Sequence, residues 1–356
     1  MTRCSKQVFS YLSAVVRRLD TRVYRAFPVP PCPSWLISLM AVQYARDYVF
    51  LILTMLFWGG SWVSGKLVVD TAPPFTIGFF RFLVASALLL PAAAIARPRQ
   101  AQKLQRRTVF LFFLMGLVGI FGYGIFFLVG MRFTTAAQGS IIAGINPASV
   151  SLWAHIMHKE HLDRKWRYGG FAVSFFGIIF VVGVQALIDF QPEYVLGNLL
   201  IICAMMTWGF YSSVGKSAMK NSSSIEATAA SVAFGTLIFS FGATYEQFWT
   251  LPAMANPAFW FNILFLAGPV TFLGYIFYFI AIKDIGATRS AVFINLVPVF
   301  GVSLSVLLLH EVMYWTFGLG LLLVIAGIMT ITFPLSRKSH IHMDTTLPLD
   351  SPPENT

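Results

Sequence analysis

Charged residues are scarce in this chain: Asp, Glu, Lys and Arg make up 11% of its 356 residues, against about a quarter in soluble globular proteins. Water is therefore not its main solvent. Acids are scarcer still, 14 in all, and none lies near the middle of an apolar run. Such residues are the usual proton relays of coupled pumps, so proton coupling is weakened and exchange or facilitated diffusion fits as well, although Asp70 at a loop edge could still titrate. The three cysteines, Cys4, Cys32 and Cys203, form no spaced set, which removes a disulfide framework and a zinc site and leaves Cys203 as packing. No Rossmann fingerprint, P-loop, HExxH or GxSxG motif occurs, so ATP-driven pumping and the commoner hydrolases have no support and no cofactor is expected.

What the chain has is apolar length. It is 57% hydrophobic and 16% aromatic, with 35 Phe, a composition suited to lipid-facing and interfacial helix surfaces. A spanning helix needs about 20 mostly apolar residues. Such runs cover 48–69, 74–95, 109–130, 135–157, 167–187, 195–216, 226–248, 258–282, 286–308 and 314–335, and several connections are so short that neighbours must be antiparallel. The net charge of +11 is no mark of nucleic-acid binding, because the basic residues sit in loops and tails. Arg97, Arg99, Lys103, Arg106, Arg107, Lys159, Arg164, Lys165, Arg167, Lys216, Lys220, Lys283, Arg289, Arg337 and Lys338 all fall on one side, and the opposite loops hold only Lys66 and Arg132. Positive loops stay cytoplasmic, so both termini are predicted cytoplasmic and a bacterial inner membrane is the expected location.

Residues 1–46 form a basic tail outside the bundle, broken by prolines at 28–33. It reads as an interfacial helix, a targeting segment, or sequence ahead of a start at Met40. Two five-helix units are expected over 47–187 and 188–336, followed by a polar, disordered tail over 337–356.

The halves repeat. Trp58-Gly59 recurs as Trp208-Gly209 and Gly65-Lys66 as Gly215-Lys216 at an offset of 150; Pro147, Glu160 and Gly169 recur as Pro298, Glu311 and Gly320 at 151. Five is odd, so the second unit enters the membrane upside down. Inverted repeats place a pseudo-two-fold axis in the membrane plane, and rocking one unit against the other opens a central cavity to each side in turn. The fold class is thus an all-α polytopic membrane protein of ten helices in two inverted repeats, and the topology argues for transport.

Ordered motifs add a family. They begin with Phe57-Trp58-Gly59-Gly60-Ser61-Trp62, Arg81-Phe82-Leu83, Gly122-Tyr123, Thr135-Ala136-Ala137-Gln138, Asn146-Pro147 and His158-Lys159-Glu160-His161-Leu162. In the second half come Phe272-Leu273-Gly274-Tyr275, Gly286-Ala287-Thr288-Arg289-Ser290, Pro298 and Leu309-His310-Glu311. Across roughly 48–335 the chain resembles the EamA family of the drug/metabolite transporter superfamily. His158 and His310 stand where that family usually has Gly. The resemblance implies ten helices around a central cavity, with the fifth and tenth peripheral, and amino acids or related metabolites as cargo.

Arg81 carries the deepest charge, about seven residues or ~10 Å into its helix. Such an Arg costs a few kcal/mol unless it faces a cavity or a partner, and the counterpart segment 221–248 contains no Lys or Arg. That asymmetry favours a ligand carboxylate or phosphate, bound bidentately, over a clamp to Asp70 or to helix carbonyls. Lys66 and Lys216 end equivalent helices, where dipole compensation and snorkelling explain them; Lys66 could also pair with Asp70. Trp58 and Trp62 share a helix face, as do Trp208 and Tyr211, and these faces either line the cavity or pack helices. Tyr123, Gln138, Asn146, Tyr275 and Asn295 are polar groups in apolar spans that need a partner, from another helix or from substrate. Pro147 and Pro298 are matched mid-helix kinks and candidate gates. His155, His158 and His161 do not share one face, so no metal is expected. Glu160 and Glu311 fit capping or pairing roles in loops. Gly116, Gly119, Gly122 and Gly124 allow close helix approach and leave a homodimer open. The expected partners are a small-molecule substrate and the bilayer, with no nucleic acid. A nucleotide-sugar or phosphorylated-metabolite antiporter, a histidine-dependent membrane enzyme and a non-transporting receptor are the competing readings.

Overall fold

The computed structural model describes residues 34–97, 105–159, 192–285, 293–312 and 315–332, with parts of 169–180; side chains are described from Ala45 onward and not at every helical position. Contacts divide the chain into Met1–Arg46 and Asp47–Thr356, and the second unit holds the helix bundle.

All described elements are helical. They are α1 (Ser34–Val69), α2 (Pro74–Ala96), α3 (Arg106–Phe133), α4 (Ala136–Ile142), α5 (Asn146–His158), α6 (Pro192–Ala218), α7 (Ser224–Tyr245), α8 (Pro257–Ala281), α9 (Leu296–Leu309) and α10 (Trp315–Thr332). Six stretches are long and apolar enough to cross a bilayer: Ala45–Val69, α2, α3, Tyr194–Ala218, α7 and α8. The segments α4 and α5 are two pieces of one interrupted path, separated by the 3₁₀ turn Ala143–Ile145, and α9 comes after a matching 3₁₀ turn at Phe293–Asn295. Pro147 and Pro298 therefore sit just after tight turns, near the start of a helical segment. That placement suits a residue with no N–H to donate.

The repeat is written into the packing. Helices α2 and α7 lie against each other, and where they meet the Ser86 and Thr236 hydroxyls are 3.1 Å apart, on residues separated by 150 in sequence. A contact between equivalent positions is what a two-fold axis produces. Both ends of this pair are fastened. Glu246, which ends α7, accepts from the Phe75 and Thr76 amides and the Thr76 hydroxyl at 3.2, 2.7 and 2.8 Å. At the other end Arg97 pairs with Glu226 at 3.2 Å.

The matched glycines make matched crossings. A Cβ on Gly59 would meet Phe300 Cβ at 2.6 Å and Gly301 N at 2.9 Å, and a Cβ on Gly209 would meet the Ser149 carbonyl carbon at 2.7 Å. Ser149 and Phe300 are themselves 151 apart, so α1 crosses α9 as α6 crosses α5, each helix of one half seated on a helix of the other. Gly177 lies equally close to the Gly320 carbonyl and to Val324 of α10. Lys159 and His310, also 151 apart, both hold left-handed backbone, with φ of 54° and 53°.

Polar contacts sort the loops as the antiparallel order requires. Lys66 donates to the Met131 and Thr134 carbonyls at 3.0 and 2.9 Å, capping the end of α3 rather than its own helix. Arg132 donates to the Ala72 carbonyl at 3.0 Å. Glu311 accepts from the Ala136 and Ala137 amides at 2.8 and 2.9 Å, the capping role expected of it; Glu160 lies outside the described residues. All these contacts belong to one end of the bundle, and Arg97–Glu226 to the other.

Candidate functional site

Two helices carry an unexpected feature at equivalent positions. Within α3, Met115–Gly122 winds as a π-helix, and within α8, Leu266–Leu273 does the same, again 151 residues on. A π turn inserts an extra residue, re-aims the side chains that come after it, and is frequent at functional sites. Tyr123 succeeds the first directly, and Gly274-Tyr275 the second. In α8 the wider turn has a visible cause. Pro269 cannot donate to the helix ladder, and the Thr271 hydroxyl bonds the Leu266 carbonyl five residues back at 2.7 Å.

The re-aimed tyrosines meet the repeated tryptophans. Tyr123 packs on Trp208 with ring centroids 5.5 Å apart, and Tyr275 packs on Trp58 at 6.1 Å and on Trp208 at 6.2 Å. Trp58–Tyr275 and Trp208–Tyr123 each set a repeated tryptophan of one half against the tyrosine that follows the π segment of the other. Trp58 is fixed by its indole N–H, which donates to the Val270 carbonyl inside the π segment at 3.1 Å. Tyr211 extends the cluster, stacked on Trp208 at 5.3 Å, and its hydroxyl lies 3.5 Å from that of Ser231. Tyr278 lies 5.4 Å from Trp58.

Arg81 breaks the symmetry of this aromatic wall. Its side chain is only 7% exposed, and it lies beside Phe127, which stacks on Tyr123 at 5.8 Å. The guanidinium carbon lies 4.9 Å from the Phe82 ring centre and 6.0 Å from that of Phe127. Nε is buried without a hydrogen-bond partner, and among the described residues the guanidinium forms no hydrogen bond or ion pair. An unpaired buried ion costs several kcal/mol even after relaxation, and a desolvated cation–π contact returns about 2 kcal/mol or somewhat more, a partial offset. The clamp to Asp70 or to helix carbonyls is not what the structure contains.

The remaining candidates are distributed differently. Trp62 is buried edge-on against Phe127 at 5.1 Å, one ring removed from Arg81 and packed over Gly139. Gln138 is fully buried, and its side-chain oxygen accepts from Asn198 at 2.6 Å and from Thr134 at 3.2 Å, so it ties α4 to α6 near the Lys66 end. The Asn146 side-chain oxygen is buried without a partner just after the 3₁₀ turn. The side chains of Pro147 and Asn295 lie outside the described residues. His158 touches the Ser213 carbonyl at 3.0 Å; His161 lies outside the described residues, among which no group of three metal-binding side chains forms.

A membrane bundle of interlocked repeats with polar and aromatic groups at its centre defines a transporter-like architecture. The sequence pattern of the EamA-like transporter family matches residues 46–183 and again 195–333, and the chain belongs to that family. Its relatives carry the same general description. An uncharacterised transporter YyaM of Bacillus subtilis is 25% identical, the match covering 81% of this chain and 94% of that protein. An uncharacterised transporter of Archaeoglobus fulgidus is 26% identical over 80% and 96%, and YetK of Bacillus subtilis 27% over 79% and 85%. A solved structure described only as "Crystal structure of protein" shares the fold with a TM-score of 0.57 at 18% identity, covering 81% of this chain and 97% of that one. The chain is thus a membrane transporter of the EamA type.

Proposed function

We propose that this transporter works by alternating access as an exporter or exchanger of a small metabolite, an amino acid or a related carboxylate. The cargo binds between the halves, with its carboxylate on Arg81 and its body against Trp58, Tyr123, Trp208 and Tyr275. One observation carries this reading: a buried guanidinium without a protein counter-ion among the described residues, set against Phe82 and Phe127, the latter stacked on Tyr123 of an aromatic cluster drawn from both repeats. Arginine's planar fork matches a carboxylate, and largely apolar sites with a few placed polar groups are the usual form of small-molecule pockets. Alternating access rests on the two-fold relation between the halves. The basic loops support cytoplasmic termini in an inner membrane. Rings from both halves meet the same cargo, so rocking the halves transfers it from one side to the other.

Sealed proteoliposomes loaded with an unlabelled solute are assayed for counterflow of labelled solute, with amino acids, dicarboxylates and nucleotide sugars compared. Uptake of an amino acid or carboxylate by vesicles with the protein, and not by empty ones, is the expected result. Binding without accumulation of any class would replace transport with a receptor role.

A further inference from the structure

Resting on that reading, we infer that the site takes a cargo of net charge −1, a carboxylate without an ammonium group, in preference to the zwitterionic amino acid of the same skeleton. The reason is charge balance. Arg81 brings one positive charge into a buried setting and finds aromatic rings and, among the described residues, no carboxylate. The chain has 14 acids, and no predicted span holds one near its middle. The described acids lie at the ends of the spans, Asp47, Asp70 and Asp284 among them. Glu226 is held by Arg97 and by Ser223, Glu246 by Phe75 and Thr76, and Glu311 by Ala136 and Ala137.

A monoanion on Arg81 makes a neutral, charge-assisted pair. A zwitterion restores the deficit, because its ammonium arrives where no carboxylate among the described residues receives it. The faces of Trp58, Tyr123, Trp208 and Tyr275 and neutral acceptors such as the Asn146 side-chain oxygen remain for it, and these hold a cation less well than an ion pair does. The asymmetry of the repeat points the same way. The position of α7 equivalent to Arg81, Ser231, is a buried hydroxyl that donates to the Thr228 carbonyl at 2.9 Å. At that position the second half therefore brings neither a second cation for a dianion nor an acid for an ammonium.

The test compares 2-oxo acids with amino acids of identical skeleton: pyruvate with alanine, 3-methyl-2-oxobutanoate with valine, and 4-methyl-2-oxopentanoate with leucine. Full-length protein in nanodiscs is titrated by tryptophan fluorescence at pH 7, and the same compounds are run in counterflow. At least one oxo acid is expected to bind tenfold or more tightly than its amino acid. Arg81→Lys should keep the direction of that preference and Arg81→Gln should abolish it. Equal or tighter amino-acid binding in every pair, no oxo-acid binding at millimolar concentration, or a preference that survives Arg81→Gln overturns the inference. Transport of amino acids ahead of oxo acids removes the charge preference and leaves the transport reading standing. Oxo-acid binding with no counterflow removes transport and leaves the charge preference standing.

Discussion

Alanine at Gly59 or Gly209 is expected to destabilise the protein through one mechanism in both halves. At Gly59 the added carbon lands 2.6 Å from Phe300 Cβ and 2.9 Å from Gly301 N, whereas carbon atoms sit best at about 3.5–4.0 Å. The crossing helices must part by about 1 Å to admit it. The obstruction is Cβ and backbone rather than the tip of a flexible side chain, so it cannot swing aside. Overpacking of this kind costs about 1–3 kcal/mol, of which the better helix propensity of alanine returns up to about 1 kcal/mol. Gly209 faces the Ser149 carbonyl carbon and oxygen at 2.7 and 2.8 Å, and the same net loss is expected. Gly318 is the control: nothing lies within 4 Å of its added carbon, so Gly318→Ala should gain up to about 1 kcal/mol. The assay is thermal unfolding in detergent monitored by size-exclusion chromatography. Melting at or above the unmodified protein for Gly59→Ala and Gly209→Ala, or opposite shifts for the two, would refute the matched crossings.

Single contacts set the other expected outcomes. His310→Gly should raise stability by up to about 1 kcal/mol, because left-handed backbone costs an L-residue about 1–2 kcal/mol that glycine does not incur; no change in melting would deny the φ of 53°. Glu311→Ala strips the cap from α4 and should cost about 0.5–2 kcal/mol, with Glu311→Gln recovering part of it in the same melts. Asn198→Leu should cost about 0.5–1.5 kcal/mol by removing the shorter of the two hydrogen bonds to the buried oxygen of Gln138, which keeps the Thr134 hydroxyl, and a neutral effect would remove that network. Arg97→Gln should change stability by less than about 1 kcal/mol, since this pair is partly solvated; a large loss, insensitive to salt, would contradict it.

The architecture was legible where it depends on period and count. Apolar runs, basic loops and the Trp-Gly and Gly-Lys pairs at one offset expose two halves, because burial in lipid and repeated helix crossings write themselves directly into composition. The depth of Arg81 was legible for the same reason. Its lack of a hydrogen-bond or ion-pair partner among the described residues was not, because that depends on packing against α3, dozens of residues away. The π turns ahead of Tyr123 and Tyr275 left one local trace, Pro269 in an otherwise helical run, and α3 has no such mark. Gln138 shows the limit from the other side. A polar group in an apolar span announces only that it needs a partner, and here that partner is Asn198, 60 residues on. Lys66 likewise could be assigned a capping role, but which helix it caps was decided by tertiary packing. His310, odd against its family by sequence, has a physical reading once its backbone is seen: a left-handed position where Gly carries no penalty.

The central claim is that transport runs through the guanidinium of Arg81, and the most direct measurement is counterflow in sealed proteoliposomes by the unmodified protein, Arg81→Gln and Arg81→Lys, each with its melting temperature recorded. Arg81→Gln that melts normally and loses at least tenfold in uptake, with partial recovery in Arg81→Lys, is the expected result. Normal uptake by Arg81→Gln would contradict it.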